Sequence, residues 1–262
     1  MKRVGVIGFG VMGEAVASCL ARALPTVGVL VYEEKKERLD AATGRPGVTV
    51  AGSASEVLRG SDITVLAIKP QDLAAFAEGL NGASRGRPLI SILAGQTIEV
   101  ISRLLGSDQI ARFMPNLAAV TGASMVGVSF HAGATEQTRR DARTVAGALG
   151  TSLEIPEKLM GAMTGVSGSG LAFVLQFIHG MALGGVAAGF DYRSALAVAV
   201  GAVEGAASLL KGGAHPLELA SRVTSPAGTT IQGVRALEKA AFTAAVMEAV
   251  EAAARKANEF ET

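Results

Sequence analysis

The stretch TSPAGTTIQG at 224–233 gathers four hydroxyls, those of Thr224, Ser225, Thr229 and Thr230, around a Pro-Ala-Gly turn just ahead of a helical pattern. No acid, base or metal ligand falls within it. Hydroxyls and backbone N–H groups at the start of a helix suit an oxyanion, because unsatisfied N–H groups and the helix dipole both face it. Ser225, Thr229 and Thr230 are therefore candidates to hold a carboxylate. Chemistry run from such a cradle must draw its reactive groups from elsewhere.

A second pattern supplies a place for them. Gly8-Phe9-Gly10-Val11-Met12-Gly13 fits G-x-G-x-x-G, with a β-like run before it, a helical run after it and an acidic residue ending the next β-like run. That context predicts a dinucleotide site. Gly8 makes the tight turn, Gly10 lets pyrophosphate reach the backbone, and Gly13 lets helix and strand pack. Glu33 lies where a carboxylate takes ribose hydroxyls. With Glu34 beside it, Glu33 favours NADH over NADPH, although Lys35 and Lys36 partly compensate. It is expected at an exposed strand end. Ala67, Lys69 and Pro70 in AIKPQ follow the fourth strand, Pro70 turning the chain so that Lys69 faces the cofactor. Asn116 in FMPN ends the sixth strand, ready to hold a carboxamide or a polar group of a substrate.

Bulk properties exclude other classes. With 24 basic and 23 acidic residues spread along the chain, no basic block marks a nucleic-acid partner. His131, His179 and His215 lack ligand spacing, so no metal site is expected. The single cysteine, Cys19, rules out an internal disulfide and suits a reducing cytoplasm. The apolar run after Met1-Lys2-Arg3 is short and glycine-broken, unlike a signal peptide. Residues 170–190 are long and apolar enough to span a bilayer, but Gln176 and His179 interrupt them and no anchoring flanks follow. A buried helix is expected there instead, with Gly180, Gly184 and Ala188 allowing another helix close. An apolar content of 49 % without tryptophan points to burial between helices and between subunits.

The elements that must position these groups alternate in the first half. RVGVIG, VGVLVY, VTV, ITVLAI, PLISIL and QIARFM read as strands with helical runs between them, and SMVGVSF and TSLEI as two more flanking a further helix. The pattern implies an α/β fold, an N-terminal Rossmann doubly wound parallel sheet. After Pro156 only helices are expected, at 169–189, 192–210, 216–223, 229–239 and 242–260, giving an all-α C-terminal domain. The domains expected are 1–155 for the dinucleotide and 156–262 for dimerisation and substrate.

A hydroxyacid dehydrogenase would place a general-acid lysine and an asparagine downstream of GVSGSG, where Val174 and Phe177 stand. Without that acid a carbonyl is poorly reduced. A cyclic imine, protonated in solution, needs only a carboxylate anchor and donors near nitrogen. The segments Gly8–Gly13, AIKPQ, SILAGQTIEVI, MPN, TGVSGSG and RVTSPAGTTIQGVRALE, in that order, resemble pyrroline-5-carboxylate reductases along nearly the whole chain. The resemblance implies reduction of 1-pyrroline-5-carboxylate to L-proline with NADH or NADPH. It also implies a homodimer built through C-terminal helices, with such dimers often assembled further into decamers. Ser225, Gly228 and Thr229 would hold the carboxylate and Thr230 would sit beside the ring nitrogen, with Ser225 and Thr230 the candidate catalytic groups. Departures from the family pattern stand at Leu117, Ala118, Leu171, Ala172, Phe173 and Ala227. A six-membered or modified ring as substrate, and a non-catalytic nucleotide-binding regulator, remain the alternative readings.

Overall fold

The computed structural model describes residues 1–260, which divide into two compact units. The first runs from Met1 to Gly168 and takes back the chain from Ala252 onward; the second is Ser169–Glu251. Among the described residues of the first unit, eight strands form one sheet: β1 Arg3–Ile7, β2 Gly28–Tyr32, β3 Val48–Val50, β4 Ile63–Leu66, β5 Leu89–Ser91, β6 Ile110–Met114, β7 Ser124–Phe130 and β8 Gly150–Glu154. Their order is β3-β2-β1-β4-β5-β6-β7-β8. The strand runs seen in the sequence are all present, and β1 to β6 pair in parallel.

The parallel expectation fails at one joint, where β6 and β7 are antiparallel. The reason is the connection. Only a 3₁₀ turn, Leu117–Thr121, lies between them, and a parallel return needs a crossover of a dozen residues or more. The helix Glu136–Leu149 provides such a crossover, and β8 accordingly pairs with β7 in parallel.

Side-chain alternation feeds two cores. Val4 and Val6, Val29 and Val31, and Ile63 and Val65 face one side, against α1 (Val11–Ala23) and the Glu136–Leu149 helix. Ile7, Leu30, Leu66 and Leu89 face the other, against α3 (Ala54–Gly60) and α5 (Ile98–Leu105). With α2 at Lys36–Ala42 and α4 at Leu73–Gly79, the Glu136–Leu149 helix is α6. Being covered on both faces, the strands read as near-continuous Val and Ile rather than as an alternation with polar residues. Ser53, Thr97 and Thr135 cap α3, α5 and α6, each accepting an N–H from the first turn.

A short helix, α7 at Met160–Met163, leads into a π-helical turn at Thr164–Ser169. The second unit then builds from α8 Gly170–Ala187, α9 Tyr192–Leu210, α10 Pro216–Arg222, α11 Thr229–Lys239 and the start of α12 Phe242–Asn258. Asp191 caps α9 through the Ser194 N–H, and His215 caps α10 with Pro216 following. The seam between α8 and α9 is made of small residues: Ala182, Ala195 and Ala199 are buried, and a Cβ on Gly185 would stand 2.9 Å from that of Ala195.

Two expectations need correction. The helix at 170–190 is not buried within the chain. Gly170 and Ala182 are its buried residues, His179 is exposed, and Gly180 and Gly184 face open space. This helix (as part of Glu157–Ala187) and Tyr192–Leu210 are both long and apolar enough to cross a membrane, and little of either is buried. Among the described residues of the helical unit, no element covers their outer faces. Glu33, expected at an exposed strand end, is largely buried at 9 % exposure, because its carboxylate folds onto backbone N–H groups.

Ala227 takes φ +57°, left-handed backbone that costs an L-residue about 1–2 kcal/mol. Glycine avoids that cost but loses about 0.5–1 kcal/mol of chain entropy on folding. Ala227→Gly is therefore expected to raise stability by up to about 1 kcal/mol, or roughly 1–3 °C in Tm, measured by thermal denaturation. A lowered Tm would count against strain at this turn.

Candidate active site

The glycine loop joins β1 to α1 and is stitched to the end of β2. The Gly8 N–H donates to Tyr32 O at 2.8 Å, and the Phe9 N–H to Glu33 Oε2 at 2.7 Å. Gly8 has φ +95°, and a Cβ there would meet Ala67 O at 2.6 Å. A Cβ on Gly13 would lie 2.0 Å from Gly8 O, so helix and strand touch backbone to backbone. A Cβ on Gly10 would meet only the Arg38 guanidinium, at 3.6 Å, and Gly10 starts α1 without any side-chain cap. The first N–H groups of α1 are thus left for a ligand.

A cavity of about 930 Å³ spreads over this loop. Gly8, Gly10, Val11, Met12, Glu33, Ala67 and Lys69 line it. Phe9 and Gly13 serve it from behind, Phe9 as a buried core side chain 2 % exposed. Pro70 opens a 3₁₀ turn, Pro70–Asp72, with Lys69 exposed just before it. The residues present therefore fit a dinucleotide: an uncapped helix start, a glycine without a side chain at the phosphate approach, and a cation at the rim. Arg38, Ser53 and Ser55 also line the cavity and were not picked out from the sequence. Arg38 lies in the first half of α2, five positions beyond Glu33, and that closeness to the strand end was the available signal.

Asn116 lies at the end of β6 with its side chain already engaged. Its Oδ1 accepts the Ala118 N–H at 3.1 Å, capping the turn that reverses the sheet. Its Nδ2 donates to Ser167 Oγ at 3.0 Å, and that hydroxyl donates to Met125 O at 3.2 Å. Asn116 therefore ties β6 to the π-helical turn, a role for Ser167 that sequence reasoning missed. A π-turn is a strained, irregular element held by specific bonds, and this network supplies them.

Ser225, Gly228, Thr229 and Thr230 lie together in the helical unit, at the start of α11. Gly228 is the N-cap and offers no side-chain bond to the first turn. A Cβ on Gly228 would stand 2.2 Å from Ser225 Oγ, so the serine hydroxyl folds tightly over that backbone. Thr224, by contrast, is spent locally, its hydroxyl donating to Ala220 O at 2.7 Å. Thr230 is half-buried, whereas Ser225 and Thr229 are exposed. The arrangement presents hydroxyls and uncapped N–H groups, a set of donors suited to an anion and carrying no charge of its own.

Comparisons with known proteins place the chain in a family. A family model described as pyrroline-5-carboxylate reductase dimerisation matches residues 157–260, and one described as NADP oxidoreductase, coenzyme F420-dependent, matches residues 3–95. The chain is 39 % identical over 266 residues to a pyrroline-5-carboxylate reductase of Methanosarcina acetivorans, covering 98 % of this chain and 97 % of that one. It is 36 % identical over 257 residues to that of Aquifex aeolicus, covering 97 % and 96 %. Among solved structures, the pyrroline carboxylate reductase of Plasmodium falciparum with NADP bound superposes with TM-score 0.89 at 26 % identity, over 100 % of this chain and 98 % of that one. The enzyme of Streptococcus pyogenes superposes at 0.88 and 27 % identity, over 98 % of each. With a glycine-loop cavity for NAD(P)H, an uncapped hydroxyl-lined helix start and relatives of this closeness along its whole length, the chain belongs to the pyrroline-5-carboxylate reductase family.

Proposed function

We propose that this protein reduces 1-pyrroline-5-carboxylate to L-proline with NADH or NADPH. The observation that carries the reading is the start of α11. Its N-cap is a glycine without a side-chain bond, and Ser225, Thr229 and Thr230 surround it. In this reading Ser225, Gly228 and Thr229 bind the substrate carboxylate, and Thr230 lies beside the ring nitrogen. NAD(P)H, when bound, supplies the hydride. The protein's own part is to orient the imine, hold the carboxylate and exclude water, because a protonated imine is already electrophilic and asks for no strong acid. Gly8 to Gly13, Ala67, Lys69 and Pro70 shape the cofactor side, while Asn116 orders the strand end near it.

The same proposal makes the protein a homodimer joined through residues 156–262, a segment that the dimerisation model covers from 157 to 260. The outer faces of α8 and α9, with Val174, Leu175, Leu183 and Val198 exposed, supply apolar surface for a second copy. Assembly of dimers into a decamer is the larger form of this proposal. A cytoplasmic location belongs with it, supported by the one cysteine, which is free and buried.

The decisive assay follows NADH and NADPH oxidation with five- and six-membered cyclic imine carboxylates in parallel. Turnover of the five-membered ring with formation of L-proline is expected; oxidation with neither ring would overturn the reading. Thr230→Ala should lower kcat roughly ten- to a hundredfold, the worth of a hydrogen bond to a charged group. Because Gly228 is the N-cap, the same variant should leave Tm nearly where it was. A fall in Tm with kcat intact would make Thr230 structural. Ser225→Ala and Thr229→Ala should instead raise KM. Sedimentation should find dimers or larger closed assemblies, and a stable, active monomer at low concentration would refute the interface.

A further inference from the structure

The dinucleotide cavity contains a charge arrangement that the motif alone does not disclose. Both oxygens of Glu33 are taken by backbone donors of this chain: Oε2 by the Phe9 N–H at 2.7 Å and Oε1 by the Lys35 N–H at 3.0 Å. The first of these groups belongs to the glycine loop and the second to the entry of α2. The guanidinium of Arg38 reaches to within 4.0 Å of Glu33 Oε2 and would stand 3.6 Å from a Cβ on Gly10. Its side chain is 45 % exposed, so it is not consumed by the carboxylate. Arg38 and Lys35 line the same cavity as Gly8, Gly10, Ser53 and Ser55.

These positions bear on how the ribose edge reads its ligand. A solvated carboxylate at the end of β2 binds a ribose diol and repels a 2′-phosphate, whereas an arginine there accommodates the phosphate. Here the carboxylate is turned inward, and its charge is met by two N–H dipoles and a guanidinium. The face left toward the ligand carries the cation. The acidic Glu34 is balanced on the same rim by Lys35. Resting on the NAD(P)H site described above, we infer that Glu33 is a positioning residue that fastens the glycine loop, and that Arg38 is the specificity-determining residue, binding the 2′-phosphate and making NADPH the preferred cofactor. This reverses the preference for NADH expected from the two glutamates.

Calorimetric titration with adenosine fragments tests it without any turnover. The native protein should bind 2′,5′-ADP more tightly than 5′-ADP by about ten- to a hundredfold, the worth of a charge-assisted contact. Arg38→Ala should collapse that ratio toward unity. Glu33→Gln should lower the Tm of the ligand-free protein and weaken both fragments together. Equal binding of the two fragments by the native protein, or an unchanged ratio in Arg38→Ala, would overturn the inference. So would a Glu33→Gln variant that gains affinity for 2′,5′-ADP while losing it for 5′-ADP. Should Glu33→Gln not fold, Arg38→Ala carries the test, since that side chain is half in solvent. Failure of both fragments to bind would overturn the dinucleotide site itself, whereas binding without discrimination overturns the Arg38 assignment alone.

Discussion

A carboxylate with 9 % exposure sits at the carboxyl end of the sheet and has to be compensated. Glu33 meets that demand with the Phe9 N–H, and in doing so it fixes the path of the glycine loop between β1 and α1. The loop has little freedom otherwise. The Gly8 N–H is bonded to β2, the backbone of Gly13 packs on Gly8, and the Phe9 side chain is held in the core. The position of Gly10 and the uncapped start of α1 depend on this arrangement. A looser loop would satisfy its own N–H groups with water and lose its preorganisation toward phosphate.

The two candidate anion sites share one device. Both α1 and α11 begin at a glycine N-cap without a side-chain bond, Gly10 and Gly228. Five other helices, α3, α5, α6, α9 and α10, are capped by Ser53, Thr97, Thr135, Asp191 and His215. A side-chain cap would occupy the donors that an incoming anion needs. Leaving a helix uncapped costs stability in the free protein, and that cost is recovered when ligand binds. The same logic accounts for the lack of titrating groups around α11. Donors with no charge of their own hold a carboxylate without requiring a proton to be lost or gained at the site.

The helical unit has its polar groups in order and its apolar faces uncovered. Its internal seam relies on Ala182, Gly185, Ala195 and Ala199, residues that contribute close approach rather than large buried area. The long helices α8 and α9 leave Val174, Leu175, Leu183 and Val198 exposed, apolar surface that their own unit does not bury. The turn before α11 bears the left-handed Ala227, a local cost placed beside the hydroxyls rather than in a helix interior.

The sequence by itself determined the elements. Short runs rich in Val and Ile, bounded by Gly, Pro or Asp, marked the strands, and helical spacing marked α8 to α12 nearly to the residue. Both glycine motifs were legible too, because their geometry is local: a positive φ, a close backbone approach, a helix start. Tertiary structure decided what depends on groups distant in the chain. The reversal at β7 followed from a turn capped by Asn116, whose side chain bonds Ala118 and Ser167. Glu33 turned inward because a loop N–H, 24 residues away in the chain, lay within reach, and Arg38 reached the cavity because the first half of α2 points it there. Residue type and spacing fix backbone conformation locally, but the direction of a charge is settled by whichever donors the fold brings beside it.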